Sequence, residues 1–188
     1  MFCLKEFPVA KKYIKFKWTV VPGEHQFARV FNTMGADIDD LTEVFQDIST
    51  SFYAHMKEVF AREGAVGSRQ VWAPLSSRYR AWKERRYPGR KILELTGSLK
   101  RSLTEENNPL GIREIGKDEM VIGTRVSYAV KHQVGYAGPF QRLPQRKIIE
   151  LTEEVKTDWT KLMHSFIYSK VKKTWSRLKP GDTNASNI

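Results

Sequence analysis

What the chain has little of excludes several classes of protein. It contains one cysteine, Cys3, and four histidines among 188 residues. A single cysteine cannot form an internal disulfide, so the sequence indicates a protein of a reducing compartment. No histidine has a second histidine or a cysteine at the spacing of a zinc site. The sequence therefore predicts no structural metal, and we expect the protein to need no cofactor.

Long apolar runs are missing as well. No run approaches the ~18 apolar residues that a membrane-spanning helix needs. The first residues include Lys5, Glu6 and Lys11 and have no apolar centre of the kind that signal peptides carry. We therefore expect a protein that folds and acts in a cytoplasm and has no membrane partner.

Motifs of catalysis are also absent. No G-x-S-x-G sequence surrounds a serine, and segment 64–68 lacks the lysine of a phosphate-binding loop. One acidic group comprises Asp37, Asp39, Asp40 and Glu43. These carboxylates could hold magnesium only if they converged, whereas the start of a predicted helix explains them directly, because carboxylates stabilise that end of the helix dipole. The sequence predicts a protein that is not an enzyme, with a metal-dependent nuclease as the least favoured alternative.

Positive charge is abundant and unevenly spread. The formal net charge is +11, and residues 69–101 contain ten basic and two acidic residues, so this segment alone contributes +8. Such a cluster attracts polyanions or an acidic protein surface. Leu75, Tyr79 and Trp82 lie among these basic residues at i, i+4 and i+7, which predicts that they form the buried face of a helix over 75–86.

Helices and strands alternate without a regular β-α-β rhythm. Residues 12–21 alternate apolar and polar side chains, which predicts a half-buried strand. Apolar residues at helical spacing predict a long core helix from near Asp37 to Gly64. A second long helix is expected after Thr152, which suits the N-cap position.

A β-hairpin is expected between the two long helices. It comprises strands 112–115 and 119–124, joined by Gly116-Lys117-Asp118. Segment 135–144 reads as a loop, and residues 148–151 are expected to add a strand. The fold class is therefore α+β, with a small antiparallel sheet packed against a long core helix and a long C-terminal helix. We expect one domain over 1–178 with an N-terminal strand arm, and a flexible tail over 179–188.

Several short motifs between Trp72 and Ile149 resemble those of the phage virion morphogenesis family, the Mu-type tail-completion or neck proteins. Their order and spacing carry the resemblance, because no single motif is rare. The motifs are Trp72-Ala73-Pro74-Leu75, Lys91-Ile92-Leu93, Leu95-Thr96-Gly97-Ser98-Leu99, Ile122-Gly123-Thr124, Tyr128-Ala129, His132-Gln133-Val134-Gly135 and Pro144-Gln145-Arg146-Lys147-Ile148-Ile149. The similarity extends over about 31–159. Ile148 stands where an aromatic residue is usual in the family, and Glu150 where glycine is common.

The resemblance implies a structural protein of the virion, assembled in the host cytoplasm, that completes the tail or joins it to the head. It implies partners of several kinds: other copies of the chain in a ring, commonly six-fold, and tail-terminator, tail-tube or head-connector proteins. A ring of six copies would carry 6 × 11 = +66 formal charges. Because such a lumen would hold DNA tightly, we expect the basic face to meet protein more than DNA, with only weak DNA contact.

We predict two partner-binding regions, the basic segment and the loop that follows Gly135. The candidate residues are Arg78, Arg80, Lys83, Arg85, Arg86, Arg90, Lys91, Gly135, Tyr136, Phe140, Arg142 and Arg146. The main alternative to an assembly role is a nucleic-acid-binding protein without sequence specificity, because interleaved arginines and aromatic residues are typical of such proteins.

Overall fold

The computed structural model describes residues 14–19, 40–138 and 142–177. Its elements in chain order are β1 (Ile14–Thr19), α1 (Thr42–Ala61), α2 (Ser77–Arg86), α3 (Ser98–Thr104), β2 (Gly111–Ile115), β3 (Glu119–Thr124), α4 (Ala129–Val134), β4 (Tyr136–Ala137), β5 (Arg142–Leu143) and α5 (Glu153–Arg177). This is the predicted α+β class. The predicted tail over 179–188 lies outside the described residues.

The main sheet has three antiparallel strands in the order β1-β3-β2. The predicted hairpin is confirmed, with Ile115 opposite Met120 and Gly111 opposite Thr124. On the other side of β3, Phe16 lies opposite Ile122, so the N-terminal strand is an integral part of the sheet. A second, two-stranded sheet pairs β4 with β5, where the sequence predicted only a loop.

Helix α1 is the centre of the fold. Its apolar stripe is fully buried, and it packs against α3, α5 and β2. The stripe comprises Val44, Phe45, Ile48, Phe52, Met56, Val59 and Phe60. Since each buried side chain of this size stabilises the fold by ~1.5–3 kcal/mol before entropy is subtracted, this helix accounts for much of the core.

Polar contacts fix both ends of α1. The backbone N–H of Thr42 donates to the Asp40 carboxylate at 2.9 Å. This hydrogen bonding from Thr42 lowers the pKa of the Asp40 carboxyl, in keeping with the predicted helix-start role. Asp37 and Asp39 lie outside the described residues. At the other end the chain turns at Gly64, whose φ of +93° is unfavourable for residues with a Cβ.

Helix α5 runs along α1 with opposite direction. Trp159 Nε1 donates to Ser51 Oγ at 3.2 Å, and Lys170 Nζ lies 2.9 Å from the Glu43 carboxylate. Trp159 and Met163 are buried, whereas Leu162 is exposed. The predicted N-cap is confirmed, because Thr152 Oγ1 accepts from the Val155 N–H at 3.4 Å. None of the described helices is long and apolar enough to cross a membrane.

Candidate partner-binding surfaces

The predicted contact residues occupy different environments. Arg78, Arg80, Arg85, Arg86, Arg90, Lys91, Tyr136 and Arg142 are exposed, Gly135 is half-buried, and Lys83 and Arg146 are buried. Phe140 lies outside the described residues. The geometry therefore separates a set of internal cations from the cations that a partner could reach.

Arg146 is an internal cation. Its side chain is 4% exposed and donates from Nε to the Ala73 carbonyl at 2.7 Å and from an Nη atom to the Pro74 carbonyl at 3.1 Å. It thereby ties the Pro144–Ile149 motif to the Trp72–Pro74 motif. Burial lowers the pKa of the Arg146 guanidinium, but its hydrogen bonds to carbonyls favour the charged form. The prediction that Arg146 lies on a contact surface does not fit this burial.

Arg69 makes a matching contact from the other side. One Nη atom donates to the carbonyls of Lys147 at 2.7 Å and Ile148 at 3.0 Å, and the other to the carbonyl of Glu150 at 3.0 Å. Trp72 Nε1 also donates to the Lys147 carbonyl, at 2.9 Å. The sequence places Arg69 only within the basic segment, and its structural role was not predicted.

Gln133 completes this network. Its side-chain oxygen accepts from the N–H groups of Ile148 and Ile149 at 2.8 and 3.1 Å, and its Nε2 donates to the Ile149 carbonyl at 2.7 Å. The segment predicted as a strand therefore forms no strand. Its backbone bonds with the side chains of Gln133 and Arg69 instead of with a neighbouring strand. Ile148 and Ile149 are buried in the core.

Lys83 is the second internal cation among the predicted contact residues. It is the buried residue of α2, and its Nζ donates to the Lys91 carbonyl. Burial lowers the pKa of Lys83, while Glu94 and Glu63 act to raise it. Lys91 itself donates from Nζ to the Ala61 carbonyl at 2.5 Å. Both lysines hold the chain after α2 against the end of α1, so Lys83 is not available at the surface.

The exposed face of α2 is aromatic and cationic, contrary to the prediction. Tyr79 and Trp82 were expected to be buried, but they are 40% and 42% exposed, and Leu75 is only half-buried. Their rings stack with centroids 5.4 Å apart and planes 27° apart, and the Trp82 ring lies 5.9 Å from that of Tyr87. Lys83, and neither aromatic residue, is the buried residue of this helix.

A second exposed surface is formed by residues on and next to α4 and the β4–β5 hairpin, and we call it the α4 surface. It carries four large apolar residues that are 40–50% exposed: Leu110, Tyr128, Val134 and Tyr136. Lys131 Nζ lies 5.0 Å from the centre of the Tyr136 ring, and the rings of Tyr128 and His132 meet edge to face. Exposed aromatic residues of this kind are enriched in protein interfaces.

The described residues also include a groove and two half-buried histidines. Within the described ranges, no three His, Cys, Asp or Glu side chains lie close enough to hold a metal ion. A groove of about 260 Å³ lies between the two clamped segments and is lined by residues that include Gln70, Trp72 and Glu150. Burial lowers the pKa of both His55 and His132, and neighbouring arginines lower them further. A lowered pKa favours the neutral form of both imidazoles.

The sequence model of the phage virion morphogenesis family matches residues 24–167. The chain belongs to the phage virion morphogenesis family. No curated protein and no solved structure shows significant similarity to it. The family assignment makes the chain a component of phage virion assembly, as the resemblance implied. The matched region of this phage virion morphogenesis protein contains α1–α4 and the three residues Arg69, Gln133 and Arg146 that clamp its backbone.

Proposed function

We propose that this phage virion morphogenesis protein is a tail-completion or neck subunit, which completes the tail or joins it to the head and acts by docking. The observation that carries the proposal is the family match over 24–167. The described geometry supports it, since the motif residues build an internal frame and the exposed apolar and cationic residues lie on surfaces around that frame. The proposed partners are other copies in a ring and tail-terminator, tail-tube or head-connector proteins.

The α4 surface is the proposed protein contact. Ring assembly needs a heterologous contact, in which one surface of a copy meets a different surface of the next. The four apolar residues of the α4 surface, together with Lys131 and Arg142 beside them, can supply one side of such a contact. Burying each exposed aromatic side chain would stabilise association by roughly 1–2 kcal/mol. A few such side chains therefore decide whether the copies assemble into an oligomeric ring.

Two variants test this role in a phage that encodes the chain. The Tyr128→Ser and Tyr136→Ser double variant removes both exposed rings of the α4 surface. The matched control is Tyr168→Ser, which removes a ring that is 69% exposed on α5. We expect the double variant to give unjoined heads and tails or incomplete tails under the electron microscope, whereas the control gives complete particles.

The outcome that rejects the proposal is equally direct. Complete, infectious particles that form without the chain would show that it completes no part of the tail or neck. Complete particles formed by the double variant would leave the family role but remove the α4 surface from it. Labelling the chain in purified particles gives its position independently of either variant.

A further inference from the structure

We propose that the exposed face of α2 binds single-stranded nucleic acid. Trp82 and Tyr79 would stack on bases, and the arginines beside them would contact phosphates. The proposal goes beyond the tail-completion or neck role and does not depend on it. It departs from the expectation that the basic face meets protein more than DNA, which rested on the charge of a six-fold ring, because Tyr79 and Trp82 lie at the surface among the arginines.

The positions of the residues along α2 bring the required groups together. At about 100° per residue, Arg85, Arg78, Trp82, Arg86 and Tyr79 follow one another within about 120° of the helix surface. Glu84, the acidic residue of this helix, lies about 160° from Trp82 on the same scale. The band therefore contains three cations and two aromatic rings, with no carboxylate between them.

The exposed arginines are available to an anion. In the described part of the chain, no carboxylate lies within ion-pair distance of Arg78, Arg85 or Arg86. Arg85 makes only a long contact, 3.3 Å from its Nε to the Ala81 carbonyl of its own helix. An arginine fork pairs well with phosphate oxygens, so a polyanion would find unused donors along the whole band.

The aromatic rings distinguish a single strand from other polyanions. Tyr79 and Trp82 already stack on each other at 5.4 Å, and their exposed surface extends this stack outward. Unpaired bases stack on such rings, whereas the bases of a duplex are already stacked on one another. The carboxylate side chains of an acidic protein segment have no aromatic face that could stack on these rings.

Arginine, tyrosine and tryptophan are enriched at protein interfaces as well, so the composition of the band alone does not choose between a protein and a nucleic acid. The centre of a protein interface is also filled by apolar side chains, and the other exposed positions of α2, which include Ser77, Ala81 and Glu84, supply no large apolar side chain. This feature favours a single strand over a protein partner, because the α4 surface has the apolar character of a protein contact and α2 does not.

Three phosphate contacts make the binding weak and sensitive to salt. For single strands the logarithm of affinity falls with the logarithm of salt with a slope near −0.7 per contact. Three arginines therefore give a slope of about −2, or a loss of roughly twentyfold between 50 and 200 mM salt. A single copy therefore holds a strand only weakly at physiological salt.

The test measures binding of the full chain to a fluorescent oligothymidylate of twenty nucleotides by anisotropy, in a salt series. Trp82→Ala is expected to weaken binding about fivefold or more, because each stacked base contributes that much. Arg85→Gln combined with Arg86→Gln should make the salt slope shallower by about 1.4. The matched controls are Tyr168→Ala and Arg62→Gln, which remove an exposed ring on α5 and an exposed cation at the C-terminal cap of α1.

Further measurements distinguish a single strand from a duplex and from an acidic protein partner. A duplex of the same length should bind more weakly than the single strand, and polyglutamate of matched charge should displace it poorly. Trp82→Phe keeps a ring and should retain most of the affinity, while the quenching of tryptophan fluorescence by the oligonucleotide should fall. Equal binding of duplex, displacement by polyglutamate at matched charge, or no change in Trp82→Ala would overturn the proposal. Thermal unfolding of each variant shows that the fold is intact.

Discussion

Arg69→Ala should destabilise the fold more than any surface substitution. The Arg69 side chain is 7% exposed and makes three hydrogen bonds of 2.7–3.0 Å to main-chain carbonyls of 147–150. A hydrogen bond from a charged donor contributes about 1.5–3 kcal/mol. Removal of the Arg69 side chain takes this donor from the carbonyls of Ile148 and Glu150, whereas the Lys147 carbonyl keeps its bond from Trp72 Nε1. Because water can enter the space and the three bonds share one side chain, we expect a loss of about 3–5 kcal/mol.

Urea unfolding followed by circular dichroism measures this loss. With a slope of about 2–3 kcal/mol per molar urea for a chain of this size, the midpoint should fall by roughly 1–2 M. The matched control is Arg62→Ala, which removes an exposed arginine paired with Glu58 at 2.9 Å. An exposed pair of this kind contributes only about 0.3–0.5 kcal/mol.

A loss of stability in Arg69→Ala no larger than that of the control would contradict this expectation. That result would mean that the carbonyls of 147–150 are solvated in the folded protein, so that the arginine replaces water at little gain. An intermediate result with Arg69→Lys is also expected, since one ammonium can reach fewer of the three carbonyls than a guanidinium fork.

Two further perturbations follow from the geometry. Gly64→Ala should destabilise the protein by roughly 2 kcal/mol or more, because φ is +93° and the new Cβ would lie 2.8 Å from Trp72 Cδ1; Gly97→Ala has a similar φ of +82° with nothing within 4 Å, and should cost about 1 kcal/mol. Thermal unfolding of the two variants separates the cost of the contact with Trp72 from the cost of backbone strain. Equal losses of stability in the two variants would show that the contact with Trp72 costs nothing. Stability should also fall as the pH drops below the ordinary histidine pKa of 6.5, because burial lowers the pKa of His55 and His132 in the folded state, so the unfolded chain takes up protons first. A double His55→Gln, His132→Gln variant should lose this dependence in urea titrations between pH 5 and 8, and an unchanged dependence would assign it to other groups.

The sequence predicts the parts of the fold in which backbone groups bond locally. The apolar stripe of α1 and the hairpin of β2 and β3 follow from side-chain period alone. The N-terminal strand also follows from its alternation, and the structure adds its partner, β3. In α1 and the hairpin the hydrogen bonds lie within one element or between neighbours in the chain, so composition and spacing suffice; the alternation of β1 predicts a strand but not its distant partner.

The strand predicted over 148–151 is wrong, because side chains take the hydrogen-bonding place of a neighbouring strand. Ile148 and Ile149 have the β-branched, apolar character of a strand, but their N–H groups bond with the Gln133 side chain. Gln133 lies 15 residues and Arg69 79 residues before Ile148, and no periodicity shows that they meet this segment. The family motifs contain Gln133, so they mark a residue that matters without showing that its task is to satisfy backbone groups.

The orientation of α2 could not be predicted either. The spacing of Leu75, Tyr79 and Trp82 is that of a buried face, but Lys83 lies inside because the Lys91 carbonyl gives its ammonium a partner. A buried cation with a main-chain acceptor is decided by tertiary contacts, which the sequence does not display. The error concerns the very surface that carries the proposed binding site.

Strand β1 has a practical consequence for any shortened version of this protein. The family match begins at residue 24, whereas β1 occupies Ile14–Thr19 and pairs with every residue of β3. In a fragment trimmed to the matched boundaries, the alternate residues of β3 that hydrogen-bond with β1 would have open backbone donors and acceptors along a hydrophobic strand. Such an open strand pairs with strands of other molecules, so the trimmed fragment should precipitate or form dimers through β3 even though it retains the whole region that defines the family.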